Sequence, residues 1–305
     1  MKRSILNIIV ILFSLLTISC ANIQQTIYLQ DVEVKGPMNP PPIRITKDKP
    51  AGTFTISPRL ALNKYSEITG SIGTRKYVSA SQDSIFRSKT DNLLWKIPQV
   101  SFGFDLDIAV SNSFAIAGGL NYSVIDQTKL IGGSAGIALF KEKNGSAIRF
   151  DAGILVQELY YDAKTVVETT TDPIWGSPST SVYYYRDKDK NADIDLYAML
   201  TYNSAIQNFP FNFFLNIAYF SQTILDFNPR TTTDISYLLV FSEKTTEDAR
   251  GEASSAYLSA TPGIFIDLSE WSRIVLGARF MYDIGLDNTS DDLYLLPVLQ
   301  LDMHF

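Results

Sequence analysis

The sequence predicts an all-β protein: an antiparallel up-and-down β-barrel that crosses a membrane with about ten strands. Three observations carry this. Apolar residues recur at every second position through most of the chain, the period of a strand with two distinct faces. The connections between these segments alternate between short and long. The face opposite the apolar stripe often carries small residues rather than a solvated set of Lys, Glu and Thr.

The alternating segments follow in order. Phe54, Ile56, Leu60 and Leu62 share one face of a first strand. Val100, Phe102, Phe104, Leu106, Ile108 and Val110 mark the second, and Phe114, Ile116, Gly118, Leu120 and Tyr122 the third, across a Ser111-Asn112-Ser113 turn. Ile131, Gly133, Ala135, Ile137 and Leu139 form the fourth. Asn144-Gly145, a strong hairpin signal, leads to Ile148, Phe150, Ala152, Ile154 and Val156. Ile194 to Tyr202, Phe211 to Tyr219, Leu258 to Ile266 and Ile274 to Tyr282 repeat the pattern. The last strand alternates at Leu293, Leu295, Pro297, Leu299, Leu301, Met303 and Phe305. Twelve strands are the alternative if residues 66–80 contribute more. The turns at 111–113, 141–146, 203–208 and 268–272 are short; most connections at the other end, 65–97, 161–192 and 221–254, are long.

Composition agrees. Charged residues make up 19% of the chain, low for a water-facing surface, while Tyr and Phe number 16 and 18. A net charge of −6 argues against a nucleic-acid partner, which needs a basic face. The rival is a soluble periplasmic β-sandwich. It is disfavoured by Ala115, Ala117 and Gly119 in one strand and Gly132, Ser134, Gly136 and Ala138 in the next, which look like the inside of a crowded lumen.

The end of the chain, Leu299-Gln300-Leu301-Asp302-Met303-His304-Phe305, resembles the closing strand of bacterial outer-membrane β-barrel proteins, with a terminal Phe and apolar residues at alternate positions. The resemblance implies that Leu299, Leu301, Met303 and Phe305 face lipid and are read by the barrel-assembly machinery. It also places the short turns in the periplasm and the long loops outside the cell. At the other end, Lys2 and Arg3 precede an apolar run from Ile5 to Leu16, the layout of an export signal. Leu16-Thr17-Ile18-Ser19-Cys20 resembles a lipoprotein signal, which implies lipid attachment at Cys20; ordinary cleavage after Ala21 is the alternative. Cys20 is the only cysteine, so no disulfide is expected. Residues 1–19 are then the signal, 20–51 an acylated periplasmic tether stiffened by Pro37, Pro40, Pro41 and Pro42, and 52–305 the barrel. The expected location is the outer membrane, with the tether in the periplasm.

Little points to catalysis. The one histidine, His304, falls at the periplasmic rim, so a Ser-His or Asp-His pair near the outer face is not available. Alternation turns Asp105, Asp107, Arg149, Asp151, Asp267, Arg273 and Asp302 inward toward the periplasmic half, and Asp193, Asp195 and Arg279 inward nearer the outside. They either form a salt-bridged filling or line a narrow acidic pore. The small inner residues leave room for water or for the tether. Asp187, Asp189 and Asn191 start like a calcium loop, but Ala192 and Ala198 replace its glycine and its closing glutamate, and no metal or cofactor is expected. Tyr183-Tyr184-Tyr185 reads as a strand extension with an interfacial belt, or as a glycan-contacting patch. The sequence therefore predicts a non-enzymatic barrel, either a narrow passive pore for small solutes or a structural barrel. The alternatives are an adhesin or scaffold presenting its outer loops and, further off, a lipid-modifying enzyme.

Overall fold

The computed structural model describes residues 22–46, 50–63, 67–74, 77–78, 89–144, 146–172, 177–204, 211–227, 230–236, 242–248, 251–284 and 293–305. Its strands are β1 (Asn22–Lys35), β2 (Phe54–Leu62), β3 (Glu67–Thr74), β4 (Tyr77–Val78), β5 (Lys89–Lys96), β6 (Val100–Ser111), β7 (Phe114–Ile125) and β8 (Thr128–Lys143). They continue with β9 (Ser146–Asp172), β10 (Ser179–Asn203), β11 (Asn212–Phe227), β12 (Arg230–Ser236), β13 (Ser242–Asp248), β14 (Gly251–Ser269), β15 (Ser272–Asp283) and β16 (Leu293–His304).

Ten of these close an antiparallel barrel in the order β2, β6, β7, β8, β9, β10, β11, β14, β15, β16, each paired with the next and β16 with β2. The first and last staves lock together at the turn end: Phe54 N–H donates to Phe305 O at 3.0 Å and Phe305 N–H to Phe54 O at 2.8 Å. The ten staves coincide with the ten alternating segments. The twelve-strand alternative fails because β3 and β4, from residues 66–80, pair above the wall; β3 joins β5 and touches the barrel at one residue pair, Gly251 with Thr74.

The staves obey period two because each has one apolar environment outside and another environment inside. Phe102, Leu120, Ile131, Leu139, Ile148, Leu196, Tyr219, Leu276, Leu295 and Leu299 point outward and are exposed. A continuous apolar belt of this kind is unstable in water and stable in lipid. Among the described residues no helix is long and apolar enough to cross a membrane; the crossing is made by strands.

All three stretches expected as long loops, 65–97, 161–192 and 221–254, contain strand among the described residues. β9 and β10 have 27 and 25 residues, more than twice what a bilayer requires, and stay paired from Asn203↔Ala147 to Ser179↔Thr171. Their β-branched and tyrosine-rich ends favour this extension. β1 pairs antiparallel with the extension, Lys35↔Tyr160 to Asn22↔Asp172, in line above β8. β5 lies parallel to β1 and β3 antiparallel to β5, so a second sheet rises from one side of the mouth. The turn expected at 203–208 falls largely outside the described residues.

Small inner residues on β8 and β9 let one aromatic lie flat against the wall. Gly136 pairs with Gly153, and the Tyr197 ring crosses both. A Cβ at Gly136 would run into the Tyr197 hydroxyl and the Ala152 carbonyl. Gly136→Val is therefore expected to destabilise the barrel by about 1–3 kcal/mol, read as a lower urea midpoint in lipid vesicles.

Candidate functional site

The lumen is the centre of the molecule's polar chemistry, and it is filled. Residues 36–46, expected as part of a periplasmic tether, run through it instead, linking β1 at the loop end to β2 at the turn end. Met38, Ile43, Arg44, Ile45 and Thr46 are all buried. The correction has a physical reason. Pro37, Pro40, Pro41 and Pro42 carry no backbone N–H, so an extended run through them needs only its carbonyls satisfied.

The raised sheet and the wall supply those donors. Trp95 Nε1 donates to Gly36 O at 3.0 Å. Gln157 and Gln222 both donate to Pro37 O, at 2.7 and 2.8 Å. Arg279 donates to Pro41 O at 2.8 Å, and Gln300 to Ile43 O at 2.8 Å. Ile43 and Ile45 pack against Phe214, Phe265 and Val275 near the turn end. At the loop end Val32, Val34 and Met38 join Trp95, Leu159, Tyr161, Phe220, Tyr257 and Tyr294 in one apolar cluster across the mouth.

Between these layers lies the ionic core. Arg149, fully buried, forks onto Asp107 with bonds of 2.7 and 3.0 Å and onto Asp151 with bonds of 2.7 to 3.0 Å. Arg44, from the threaded segment, reaches Asp151 and the Tyr197 hydroxyl, each at 3.4 Å. Arg59 pairs with Asp105 at 2.8 Å. Asp302 accepts from Ser57 at 2.7 Å and Gln300 at 2.6 Å. Arg273 pairs with Asp267 at 2.7 Å, with Asp267 at the exposed rim. Each aspartate of this core faces an arginine or a neutral donor, so the lumen is not the acidic channel that Asp105, Asp107 and Asp151 suggested by themselves.

The other sequence-derived residues are placed as follows. Asp195, buried in β10, accepts from the Thr223 N–H at 2.8 Å, and Asp193 is half-buried. His304 Nδ1 lies 3.1 Å from Thr55 Oγ1 at the turn-end rim. Leu299, Leu301 and Phe305 point outward and are exposed, with Met303 half-buried. Cys20 lies outside the described residues. Residues 187–195 are continuous strand within β10, which keeps alternate carboxylates about 7 Å apart. Among the described residues no cluster of His, Cys, Asp and Glu could hold a metal ion.

Sequence reasoning missed Gln157, Gln222, Gln300, Trp95 and Arg44. The signal was present in part: Gln157, Gln222 and Gln300 sit at inward positions of their strands, and a proline run lacks donors.

Charged pairs fasten the upper sheet to the rim. Lys35 Nζ lies 3.2 Å from Asp126 in the β7–β8 turn, and Lys96 Nζ lies 3.0 Å from Glu33 and 3.8 Å from Asp126. The hydrogen bond from Lys35 holds the Asp126 carboxyl below the usual carboxylate range, and the bond to Glu33 raises Lys96. Higher up, Arg186 donates to both oxygens of Asp162 at 2.6 and 2.8 Å and, with Lys188, holds its carboxyl low. A lowered folded pKa stabilises above the unfolded value and loses that contribution as pH falls through the folded one. Hydrogen exchange across residues 160–168, corrected for intrinsic rate, is expected to be flat from pH 8 to 6 and to accelerate below about pH 4, and Asp162→Asn should remove the acid limb.

Comparison with known proteins adds little. No family model matches the chain, and no curated protein matches it. Solved structures similar to it include an outer membrane channel from Pseudomonas putida F1, at 9% identity and a TM-score of 0.36, covering 85% of this chain and 97% of that one. The TodX monoaromatic hydrocarbon channel, as a deltaS2 mutant, gives 8% identity and a TM-score of 0.30 over 84% and 90%. Outer-membrane expressed OmpT of Vibrio cholerae gives 7% and 0.23 over 85% and 100%. The architecture rests on the chain's own strand pairing.

Proposed function

We propose that the chain is an outer-membrane β-barrel sealed by its own N-terminal segment, a non-enzymatic structural barrel that presents a raised sheet outside the cell. The observation that carries this is the passage of residues 36–46 through the lumen, with wall donors on the carbonyls of Pro37, Pro41 and Ile43 and Trp95 of β5 on that of Gly36. It weighs against a passive pore, because a solute would have to displace paired, buried groups. It favours the scaffold reading, because β1, β3, β5 and the long ends of β9 and β10 are built beyond the membrane belt.

Taking the Phe305 end as periplasmic, β1 lies outside. A lipid on Cys20 would then be carried toward the cell surface, not held at the inner leaflet. Thiol labelling in whole cells tests this. Asp31→Cys in β1 is expected to react with a membrane-impermeant maleimide in intact cells, and Asn112→Cys in the β6–β7 turn only after permeabilisation. The reverse pattern would overturn the orientation, and labelling of both only after permeabilisation would remove the outer-surface assignment.

A further inference from the structure

The outward face of the raised sheet holds a groove of about 650 Å³, bordered by Asp31, Glu33, Asp162, Lys164, Tyr184 and Arg186. A bulge makes it. The β1–β9 register slips between Gln30 and Glu33, and Asp31 sits at φ 53°, a left-handed conformation uncommon for a residue with a side chain. Such strain persists where surrounding structure imposes it, and it concentrates at binding sites. Here Val32 anchors the bulge in the apolar cluster while Asp31 is left exposed at the groove.

The lining has the chemistry of polyol recognition. Tyr184 is 61% exposed, with the Lys164 ammonium 4.4 Å from its ring centroid. The ammonium covers one face of the ring, and the exposed remainder offers an aromatic surface to the apolar face of a sugar ring, with donors and acceptors beside it. Asp31, Glu33 and Asp162 offer carboxylates; Lys164 and Arg186 offer N–H groups. Charges of both signs are interleaved and several already pair, Arg186 with Asp162 and Glu33 with Lys96. No single-sign field is left to select an ion, whereas hydroxyls both donate and accept. The position also fits. Outward residues of β10 pass from Ile194, in the apolar belt, through Lys190 and Lys188 to Arg186, about 26 Å along the strand, into the layer where saccharide chains of a membrane surface lie.

We propose that this groove binds an uncharged stretch of saccharide chain. The inference rests on the outward placement of the raised sheet in that reading but not on the sealing, and binding is measured on purified protein whether or not the barrel conducts. The full chain in detergent is applied to a printed array of neutral and charged oligosaccharides, and in parallel to oligosaccharide released from rough lipopolysaccharide. Retention of at least one neutral glycan is expected, persisting at about 0.5 M salt, where exposed charge–charge attraction is screened. Tyr184→Ala is expected to weaken it tenfold or more and Tyr184→Phe to preserve it, with both variants checked for the gel mobility of the unheated parent. Retention of the lipopolysaccharide sugars would identify a membrane glycolipid as the source; retention of other glycans alone would identify a free polysaccharide. No retained glycan, binding abolished by salt, or a Tyr184→Ala variant that binds like the parent would each overturn the proposal.

Discussion

Arg149→Met is expected to destabilise the barrel by about 3–5 kcal/mol, the largest effect of any single lumen substitution. The guanidinium is fully buried and is the main partner of both Asp107 and Asp151. Removing it takes the forked bonds from Asp107 and Asp151 and leaves Asp151 the 3.4 Å contact from Arg44. The cost therefore comes mainly from stranded charge rather than from the lost pair itself. A double variant, Arg149→Met with Asp107→Asn, should recover part of the loss, because Asp151 keeps the buried Arg44 as its partner and Arg44 keeps Asp151. Urea unfolding in lipid vesicles, followed by tryptophan fluorescence, measures both. A double variant as unstable as the single one would show that the arginine matters by packing, not by charge.

Deletion of residues 22–46 is expected to turn a silent barrel into a conducting one. The parent should show no steps in a planar bilayer, because the segment occupies the axis and the apolar cluster crosses the mouth. Removing it takes Val32 and Val34 from the mouth and Met38, Ile43, Arg44 and Ile45 out of the lumen, and exposes the side chains of Gln157, Gln222, Arg279 and Gln300 to water. An ohmic step at each insertion is the expected record. A folded but silent deletion variant would mean that the wall side chains alone close the barrel, and a conducting parent would restore the passive pore.

The wall was legible in the sequence because its signals are local. Period two, an Asn144-Gly145 turn and alternating connection lengths each act within a dozen residues, and together they located all ten staves. Inward and outward sides followed from parity alone, which is why Asp105, Arg149 and Asp302 could be assigned to the lumen. What lay inside was legible only as alternatives, a salt-bridged filling or a pore, with room for water or for the tether. Whether a proline-rich stretch is a spacer or a filling depends on a cavity assembled from strands far along the chain; the donors to Pro37 come from Gln157 and Gln222. The raised sheet was hidden for a related reason. Residues 30–35 pair with residues 160–164, most of which sat in a stretch read as loop.

The threaded segment has a consequence for how the molecule is made. One end of residues 36–46 is held by β1 on the loop side and the other by β2, a stave of the wall. Once β16 zips onto β2, the chain is a ring closed around its own thread. The filling cannot then leave by sliding, because a paired strand blocks one exit and a covalent stave the other. Either the thread is in place before the β2–β16 seam shuts, or the seam must reopen to admit it. The terminal pair of Phe54 and Phe305 is therefore a clasp as well as an edge: while it is shut, the thread is held in.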